Sequence, residues 1–442
     1  MLPAVELISN TEMANSNRAE IEIQPINGEV DFEIRPPGSK SITNRALVCA
    51  ALADGESVLS GVLDSDDTRV MIECLKSLGV QVESAGQDQL RVVGSSGRFH
   101  RDADLFVDNS GTTIRFLTAM LGMHGGNYRL HGSERMHERP IGPLVESLRA
   151  LGAGVVAESE GGCPPVVVSG EPVAGGETTI SGSVSSQYLS GLMMASPLAS
   201  ERFQLTVKGE LVSQPYVSMT LEVMKSFGVE AELELKQTPI RFVADPSVSY
   251  RGCEYEIEPD ASAASYFWAM AAICGGKATV TGLSRQSLQG DVAFVDCLES
   301  MGCKVVCQED SITVIGPARK GIDVQMDDIS DTVQTLAAVA LCVEGETRIR
   351  GVAHNRVKET DRIGNLAIEL RKLGGQVEEH EDGMTIVPGE LQSATIETYN
   401  DHRMAMSLAL VGLRQRGVVI LDPGCTAKTY PSFFADLDRA SR

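Results

Sequence analysis

Two polar-to-apolar patterns recur along this chain at intervals of 70 to 77 residues, and they limit it to a repeated architecture. In the first pattern an amphipathic segment ends on a large apolar residue followed by glycine, as at Gly79, Gly152, Gly228, Gly302 and Gly374. Glycine is favoured at the left-handed position that ends a helix. The alternation that follows, as in Val80 to Glu83, indicates a strand. The first pattern therefore predicts a helix followed by a strand, repeated along the chain.

The second pattern is a polar start that leads into an apolar helix, at Ser39, Asn109, Ser183, Asp260, Ser330 and Asn400. The following segments, such as 263–273 and 332–343, are apolar on nearly all sides, which is typical of buried helices. Together the patterns predict six α/β units, each with one buried helix, one amphipathic helix and several strands. Six units in 442 residues are expected to form two domains of three. Ordinary α/β alternation and a helical solenoid are the alternatives; the regular period opposes the first and the strands oppose the second.

The formal net charge of −22 opposes binding to nucleic acid or to anionic membrane surfaces. No apolar run reaches the roughly 18 residues that a membrane-spanning helix needs. The acidic N-terminus lacks the features of a signal or transit peptide, and residues 1–18 are expected to be a flexible extension. The ten cysteines occur singly, which indicates free thiols in a reducing compartment, so we expect a cytoplasmic protein without a metal site.

An acidic chain binds small anions only where its cations are gathered, and the helix starts carry them. Free N–H groups and the helix dipole add positive character there. The segments concerned are 35–45, 109–115, 135–140, 183–187, 356–362, 399–406 and 425–431. Each alone is compatible with a helix cap, a surface loop or a solvated charge. Together they predict a cleft for two phosphorylated ligands.

In this order, the segments resemble those of 5-enolpyruvylshikimate-3-phosphate synthases, an enolpyruvyl transferase family, from about residue 21 to 437. The stretches PPGSKSITNRAL, NSGTTIRFL, RMHERPIGPL, RVKETDR, TYNDHRMAM and CTAKTYP carry the resemblance. It implies an α/β fold, a two-domain inside-out α/β barrel with three βαβαββ repeats per domain around a pseudo-threefold axis. Residues 1–38 with 258–442 would form the phosphoenolpyruvate side, and residues 39–257 the shikimate 3-phosphate side.

The resemblance also implies roles for residues that match the family's motifs. Its catalytic residues would be Asp331, Glu359 and Lys40. Shikimate 3-phosphate would contact Lys40, Ser41, Arg45, Ser185, Ser186, Gln187, Ser213, Tyr216, Asp331 and Lys358. Phosphoenolpyruvate would contact Lys40, Gly111, Arg135, Gln187, Arg362, Arg403 and Lys428.

The implied reaction adds the enolpyruvyl group to the 5-hydroxyl of shikimate 3-phosphate through a tetrahedral ketal and releases phosphate, in the shikimate pathway of aromatic amino acid biosynthesis. It needs a base at the hydroxyl and an acid at the methylene carbon. Asp331 is expected to be the base, and Glu359 and Lys40 both remain candidates for the acid. No metal or organic cofactor is implied. The expected partners are the two substrates, without nucleic acid or membrane, and the protein is expected to be a monomer.

Two alternatives and two departures from the family pattern remain. The related UDP-N-acetylglucosamine enolpyruvyl transferases typically use a reactive cysteine in the first half, but no cysteine lies between Cys74 and Cys163. A non-catalytic protein that binds phosphate or RNA ends is opposed by the negative charge. Phe116 stands where many members have proline. His354 stands where an asparagine ligand is often found, with Asn355 directly after it, so that ligand contact is unassigned.

Overall fold

The computed structural model describes residues 19–159, 161–183, 185–233, 239–245 and 247–442, so the extension expected at 1–18 lies outside the described residues. The α-helices are α1 (Lys40–Leu52), α2 (Asp66–Ser77), α3 (Gly111–His124), α4 (Gly142–Ala150), α5 (Ser186–Ala195), α6 (Gln214–Ser226), α7 (Ala261–Cys274), α8 (Phe294–Ser300), α9 (Val333–Ala340), α10 (Gly364–Lys372), α11 (His402–Gly412) and α12 (Phe433–Ala440). Short 3-10 segments are Glu134–Glu138, Ser196–Leu198, Gly290–Ala293, Asp327–Thr332, Ala353–Val357 and Pro423–Lys428.

The strands of the first half of the chain are β1 (Glu20–Glu22), β2 (Val30–Ile34), β3 (Glu56–Ser60), β4 (Gln81–Gly86), β5 (Gln89–Val93), β6 (Asp102–Phe106), β7 (Gly126–His131), β8 (Gly154–Ser159), β9 (Cys163–Gly170), β10 (Gly176–Ser181), β11 (Phe203–Lys208), β12 (Glu232–Leu233) and β13 (Arg241–Ala244). Those of the second half are β14 (Glu254–Glu256), β15 (Gly276–Thr281), β16 (Lys304–Cys307), β17 (Ser311–Gly316), β18 (Asp323–Gln325), β19 (Thr347–Arg350), β20 (Gln376–His380), β21 (Gly383–Val387), β22 (Ala394–Ile396) and β23 (Val418–Leu421).

The sheets confirm the βαβαββ repeat. In the unit from β6 to β9, the strand order is β6-β7-β9-β8, with β6 parallel to β7 and the other neighbours antiparallel. The same order recurs in four further four-stranded sheets. The sixth sheet, β1-β23-β22, takes its antiparallel strand from the N-terminal end of the described chain, where Glu20 pairs with Leu421. In the four units whose parallel strands follow each other along the chain, a helix connects those strands, as a parallel pair requires.

The first strands of two units are exchanged between the halves of the chain. β2 precedes α1 but pairs with β15, whereas β14 precedes α7 but pairs with β3. The two connections bridge at Gly38 and Pro259. A Cβ atom at residue 38 would lie 1.8 Å from the carbonyl oxygen of Gly61, so only glycine fits this crossing.

The buried helices occupy the inside of the fold and the sheets lie outside, as the inside-out arrangement requires. α1, α3 and α5 contact one another, and so do α7, α9 and α11. Apolar burial forms two clusters, one between Ile42 and Ile257 and the other combining 23–34 with 261–440. We propose that these clusters are the two domains expected from the sequence. No helix in the described ranges combines the length and the apolar character needed to cross a bilayer.

Candidate active site

The polar starts of buried helices from both clusters converge on one cleft, whose space, counted together with the open solvent at its mouth, is about 770 Å³. The wall combines segments around α1, α3, α5 and α6 with 330–331, 354–362 and the start of α11. Of the residues expected in the site, it includes Lys40, Ser41, Ser185, Ser186, Gln187, Ser213, Tyr216, Asp331, Lys358, Glu359, Arg362 and Arg403. The helix starts thus bring hydroxyls, N–H groups and cations to a single place.

Asp331 is surrounded by three cations. Its Oδ1 accepts from Lys358 Nζ at 2.7 Å, and Arg362 Nη1 lies 3.4 Å from the same oxygen. Its Oδ2 accepts from Arg403 Nη2 at 2.7 Å. Burial opposes ionisation, but the three cations outweigh it and hold the pKa of Asp331 well below its usual range. Asp331 is therefore a carboxylate that can orient a hydroxyl and accept its proton.

Glu359 is a second buried carboxylate in the cleft. Arg362 Nη2 lies 2.7 Å from its Oε2, and Arg139 Nη2 lies 3.9 Å from its Oε1. Burial would raise the pKa of Glu359, but Arg362, Arg139 and Lys428 hold it well below the usual range. The same Arg362 also makes a bidentate contact with Asp401, at 2.7 and 3.1 Å. Asp401 thus holds Arg362 in position, and Arg362 in turn keeps Glu359 ionised.

A third carboxylate, Asp67, joins the two clusters. Its Oδ2 lies 3.3 Å from Lys40 Nζ and its Oδ1 lies 3.0 Å from Lys428 Nζ. Lys428 also donates to the main-chain oxygen of Asn109 at 2.7 Å, beside rather than within the cleft wall. The two lysines expected at phosphoenolpyruvate therefore share one anionic partner, although they come from opposite clusters.

Arg45 lies behind the wall. It is 1% exposed and donates to the hydroxyl of Thr220 and to the main-chain oxygens of Ser41 and Tyr216. Burial lowers its pKa to about 10, with Tyr216 acting in the opposite direction. Arg45 therefore holds two segments of the wall in place instead of facing the cleft, which differs from the contact expected for it.

Arg135 and Arg139 occupy different places, and the structure puts Arg139 in the wall. Arg135 lies outside it and donates to the main-chain oxygens of Lys358 and Glu359, both at 3.0 Å. Arg139 is 4% exposed and donates to Asn109 O and Oδ1 at 2.9 and 3.0 Å. Gly111 lies beneath it, because a Cβ atom there would be 2.5 Å from Arg139 Nη2.

Further wall residues were not singled out as ligands: Thr112, Arg115, Arg139, Ser330, His354 and His402. Arg115, Arg139 and His402 lie inside the motifs quoted above, so membership of those motifs is the sequence signal that points to them. Arg115 Nη1 donates to Gln187 Oε1 at 2.7 Å.

Burial lowers the pKa of His354 to about 3, and its Nε2 has no partner in the described chain. Asn355 instead donates to Ser330 O at 3.0 Å, so His354 is the one that faces the cleft.

Comparison with known proteins identifies relatives over nearly the whole chain. The family model for EPSP synthase (3-phosphoshikimate 1-carboxyvinyltransferase) matches residues 22–437. A 3-phosphoshikimate 1-carboxyvinyltransferase of Escherichia coli strain SMS-3-5 is 46% identical over 427 residues, covering 96% of this chain and 99% of its own. One from Trichormus variabilis is 45% identical over 417 residues, covering 94% and 97%. The solved EPSP synthase of Acinetobacter baumannii has a TM-score of 0.78 and 25% identity, covering 95% of this chain and 98% of its own.

Proposed function

The chain belongs to the EPSP synthase family, and from that membership we propose how the residues of the cleft divide its reaction. The protein is an enolpyruvyl transferase of aromatic amino acid biosynthesis. It transfers the enolpyruvyl group of phosphoenolpyruvate to the 5-hydroxyl of shikimate 3-phosphate and releases phosphate. The observation that carries the proposal is the placement of Asp331 and Glu359, two ionised carboxylates, among the cations of one cleft.

Asp331 is the base in this proposal. Its ionised form orients the 5-hydroxyl and takes its proton while the oxygen attacks C2 of phosphoenolpyruvate. The product of the attack is a tetrahedral ketal phosphate. Support for this role comes from the three cations around Asp331, which keep it ionised, and from its place in the cleft wall.

Lys40 and Glu359 have opposite roles at C3, the methylene carbon of phosphoenolpyruvate: one donates a proton to it and the other removes a proton from it. A lysine side chain acts as a hydrogen-bond donor and offers no acceptor, whereas Arg362 and Arg139 hold Glu359 in its ionised form, which can only accept. Lys40 therefore donates the proton to C3 during addition. Glu359 removes a proton from C3 during elimination, as phosphate leaves.

The remaining residues bind the anionic groups. Each phosphate brings about −1.5 to −2 charges, so it needs several cations in a partly desolvated site. For phosphoenolpyruvate we propose Lys40, Gly111, Gln187, Arg139, Arg362, Arg403 and Lys428. For shikimate 3-phosphate we propose Ser41, Ser185, Ser186, Gln187, Ser213, Tyr216 and Lys358. Arg45 and Arg135 support the wall from outside.

The substrate assignment is tested by phosphate release from phosphoenolpyruvate with two acceptors. Shikimate 3-phosphate is expected to support turnover, and UDP-N-acetylglucosamine is not. Turnover with the second acceptor alone would overturn the assignment, and the absence of turnover with either would favour a protein that only binds phosphate.

We propose a cytoplasmic setting and a monomeric state, which the thiols and the composition of the cleft support. All ten cysteines are free, and burial raises the pKa of seven of them to about 11 or 12, which suits a reducing compartment, the cytoplasm. We propose that the protein works as a monomer, and the origin of both cleft walls in one chain supports this. Light scattering at micromolar concentration measures this directly. The net charge argues against nucleic acid and membrane partners.

A further inference from the structure

Asp291 is a buried carboxyl group beside the cleft that the reaction scheme above does not use. It lies in the 3-10 segment Gly290–Ala293, is 3% exposed and does not line the cleft. Its Oδ2 accepts hydrogen bonds from the hydroxyls of Ser262 and Tyr216, the latter at 3.1 Å. Its Oδ1 is buried without a partner in the described part of the chain. None of the ion pairs found among the described residues includes Asp291, whereas Asp331 has three.

The hydroxyl of Tyr216 joins Asp291 to Asp331. Its oxygen lies 3.1 Å from Asp291 Oδ2 and 3.3 Å from Asp331 Oδ2. A phenol has one proton and can donate to one carboxylate only. If both carboxylates are ionised, the phenol donates to one of them, and its oxygen faces the oxygen of the other carboxylate with no proton between the two atoms. One additional proton satisfies both contacts, because a protonated carboxyl donates to the phenolic oxygen while the phenol donates to the other carboxylate. The array is therefore one proton short when both acids are ionised.

The two acids differ in how firmly they hold a proton. Burial, with the charge of Asp331 added, raises the pKa of Asp291 to about 6, while the hydrogen bond from Ser262 and the charge of Arg403 act in the opposite direction. The cations around Asp331 hold its pKa well below the usual range, in spite of burial. A proton that arrives at Asp331 is thus more stable on Asp291, and paired acids with divided proton affinity are a known means of assigning proton-transfer roles.

The other charged groups around Asp291 do not supply a competing route. Asp260 caps α7, where its carboxylate accepts from the main-chain N–H groups of Ala263 and Lys40. In the neighbouring 3-10 segment, Asp327 is half-buried and Asp328 is exposed. On α8, Asp296 pairs with Arg285 at the surface. Arg403, which faces both acids, carries a permanent charge and contacts Asp331 directly.

We propose that Asp291 stores, through Tyr216, the proton that Asp331 removes from the attacking hydroxyl. The O–H bond of the substrate breaks and its electron pair forms the new bond to C2 of phosphoenolpyruvate. The proton passes to Asp331 and on to the oxygen of Tyr216, while the phenolic proton moves to Oδ2 of Asp291. One proton has then moved from substrate to Asp291, and Tyr216 is unchanged. Asp291 touches no substrate and acts through Tyr216, so it is a positioning residue. This inference rests on the proposed role of Asp331.

The test is the dependence of kcat on pH, measured by phosphate release for the full chain with both substrates. Wild-type kcat should fall as the pH drops through about 6, because protonated Asp291 can no longer accept a proton. Asp291→Asn should lower kcat at pH 8 by about tenfold or more and remove that acidic limb. Tyr216→Phe interrupts the link and should do the same. The double variant should lose no more than either single one. Asp296→Asn, a matched substitution at the surface, should behave as wild type.

Two results would overturn the inference: an Asp291→Asn enzyme within about twofold of wild type with an unchanged acidic limb, or losses that multiply in the double variant. If circular dichroism shows that Asp291→Asn does not fold, the inference is tested instead by the number of protons transferred in the rate-limiting step. Rates in mixtures of H2O and D2O should report two for wild type and one for Tyr216→Phe, and one in both would overturn it. If Asp331→Asn keeps wild-type turnover, the base assignment fails. If Asp331→Asn is inactive but Asp291→Asn is normal, only the proton store fails.

Discussion

The buried carboxyl groups Asp331 and Glu359 in the cleft are kept ionised by cations that they share. Arg362 contacts Asp331, Glu359 and Asp401 within 3.4 Å, and its charge helps to lower the pKa of both Asp331 and Glu359. Removing one member of such a buried group leaves an uncompensated charge, which costs much more than a surface ion pair is worth. Substitutions that keep shape and change only charge are therefore the informative ones.

Asp331→Asn tests the base in this way. The amide keeps the size of the side chain and much of its hydrogen bonding but cannot take a proton. We expect a folded protein that still binds shikimate 3-phosphate and turns over at least about a hundredfold more slowly. Turnover is measured by phosphate release and binding by calorimetry. A folded variant within about threefold of wild-type turnover would remove Asp331 from the proton transfer.

Glu359→Gln and Lys40→Met separate the two halves of the reaction. Without Glu359 the proton on C3 has no acceptor, so the ketal should form and accumulate, and single-turnover quenching should detect it. Without Lys40 addition itself should stall, with a kcat lower by roughly 10²–10⁴ and no ketal. If Lys40→Met accumulates the ketal and Glu359→Gln does not, the two roles are reversed.

The motif around Arg135 and Arg139 shows where sequence reasoning stops. Two arginines four residues apart precede the same proline, and either fits a phosphate site by composition. Arg139 enters the wall because Asn109, thirty residues earlier, accepts both of its hydrogen bonds. Such a non-local partner leaves no mark in the motif. The position of Arg45 has the same kind of cause, since its hydrogen bonds to Thr220 and Tyr216 hold it behind the cleft wall.

At the scale of helices and strands, the local sequence was sufficient to predict where several helices end and begin. The five glycines expected after amphipathic helices all have positive φ, from 86° to 106°. Asp260 caps α7 as expected and accepts from Ala263 N at 2.8 Å. Other helices start one or two residues later than expected: the caps of α3, α5, α9 and α11 are Ser110, Ser185, Thr332 and Asp401. Several adjacent polar residues can each cap a helix, and tertiary contacts choose among them.

Asp401 illustrates a cap with a second task, and its removal should affect the whole domain. Its Oδ1 accepts from Arg403 N at 2.9 Å at the start of α11, and its carboxylate also holds Arg362. We expect Asp401→Ala to destabilise the protein by roughly 3–5 kcal/mol, because it leaves a buried guanidinium without this partner. A lost cap alone would cost about 1 kcal/mol. Urea unfolding distinguishes the two values, with Ser432→Ala as the control, since Ser432 is an exposed cap residue whose hydroxyl bonds the side chain of Asp436 and not the helix backbone.

At the scale of the whole molecule, the period of the sequence predicted six units but not how they close. β1 completes the sixth sheet through a pairing between residues 20 and 421, and β2 and β14 are exchanged between units. Those pairings depend on contacts hundreds of residues apart, which no local pattern encodes. The resemblance to a known family supplied the crossings near 38 and 258, whereas the residues alone supplied the repeat.

The two clusters contact each other across the cleft through matched charges. A cleft lined with cations would be expected to open by repulsion, but Asp67 lies between Lys40 and Lys428 at 3.3 and 3.0 Å and neutralises part of it. Arg135 adds two donors to carbonyl oxygens of the opposite cluster. The balance between closed and open forms should therefore depend on the carboxylate of Asp67 and on anions that can replace it.

Asp67→Asn tests this balance. Loss of the negative charge leaves two lysines of opposite clusters facing each other, which should weaken the closed form by roughly 2–5 kcal/mol. Small-angle scattering should show a larger radius of gyration for the variant than for wild type without ligands. Phosphoenolpyruvate and shikimate 3-phosphate together should restore the compact form, because their anionic groups take the place of the carboxylate. Asp66→Asn is the matched control, since Asp66 is exposed and, within the part of the chain that the structure describes, its ion pair is with the surface residue Arg69. Equal radii for Asp67→Asn and wild type without ligands would show that the contact between the clusters does not depend on this charge.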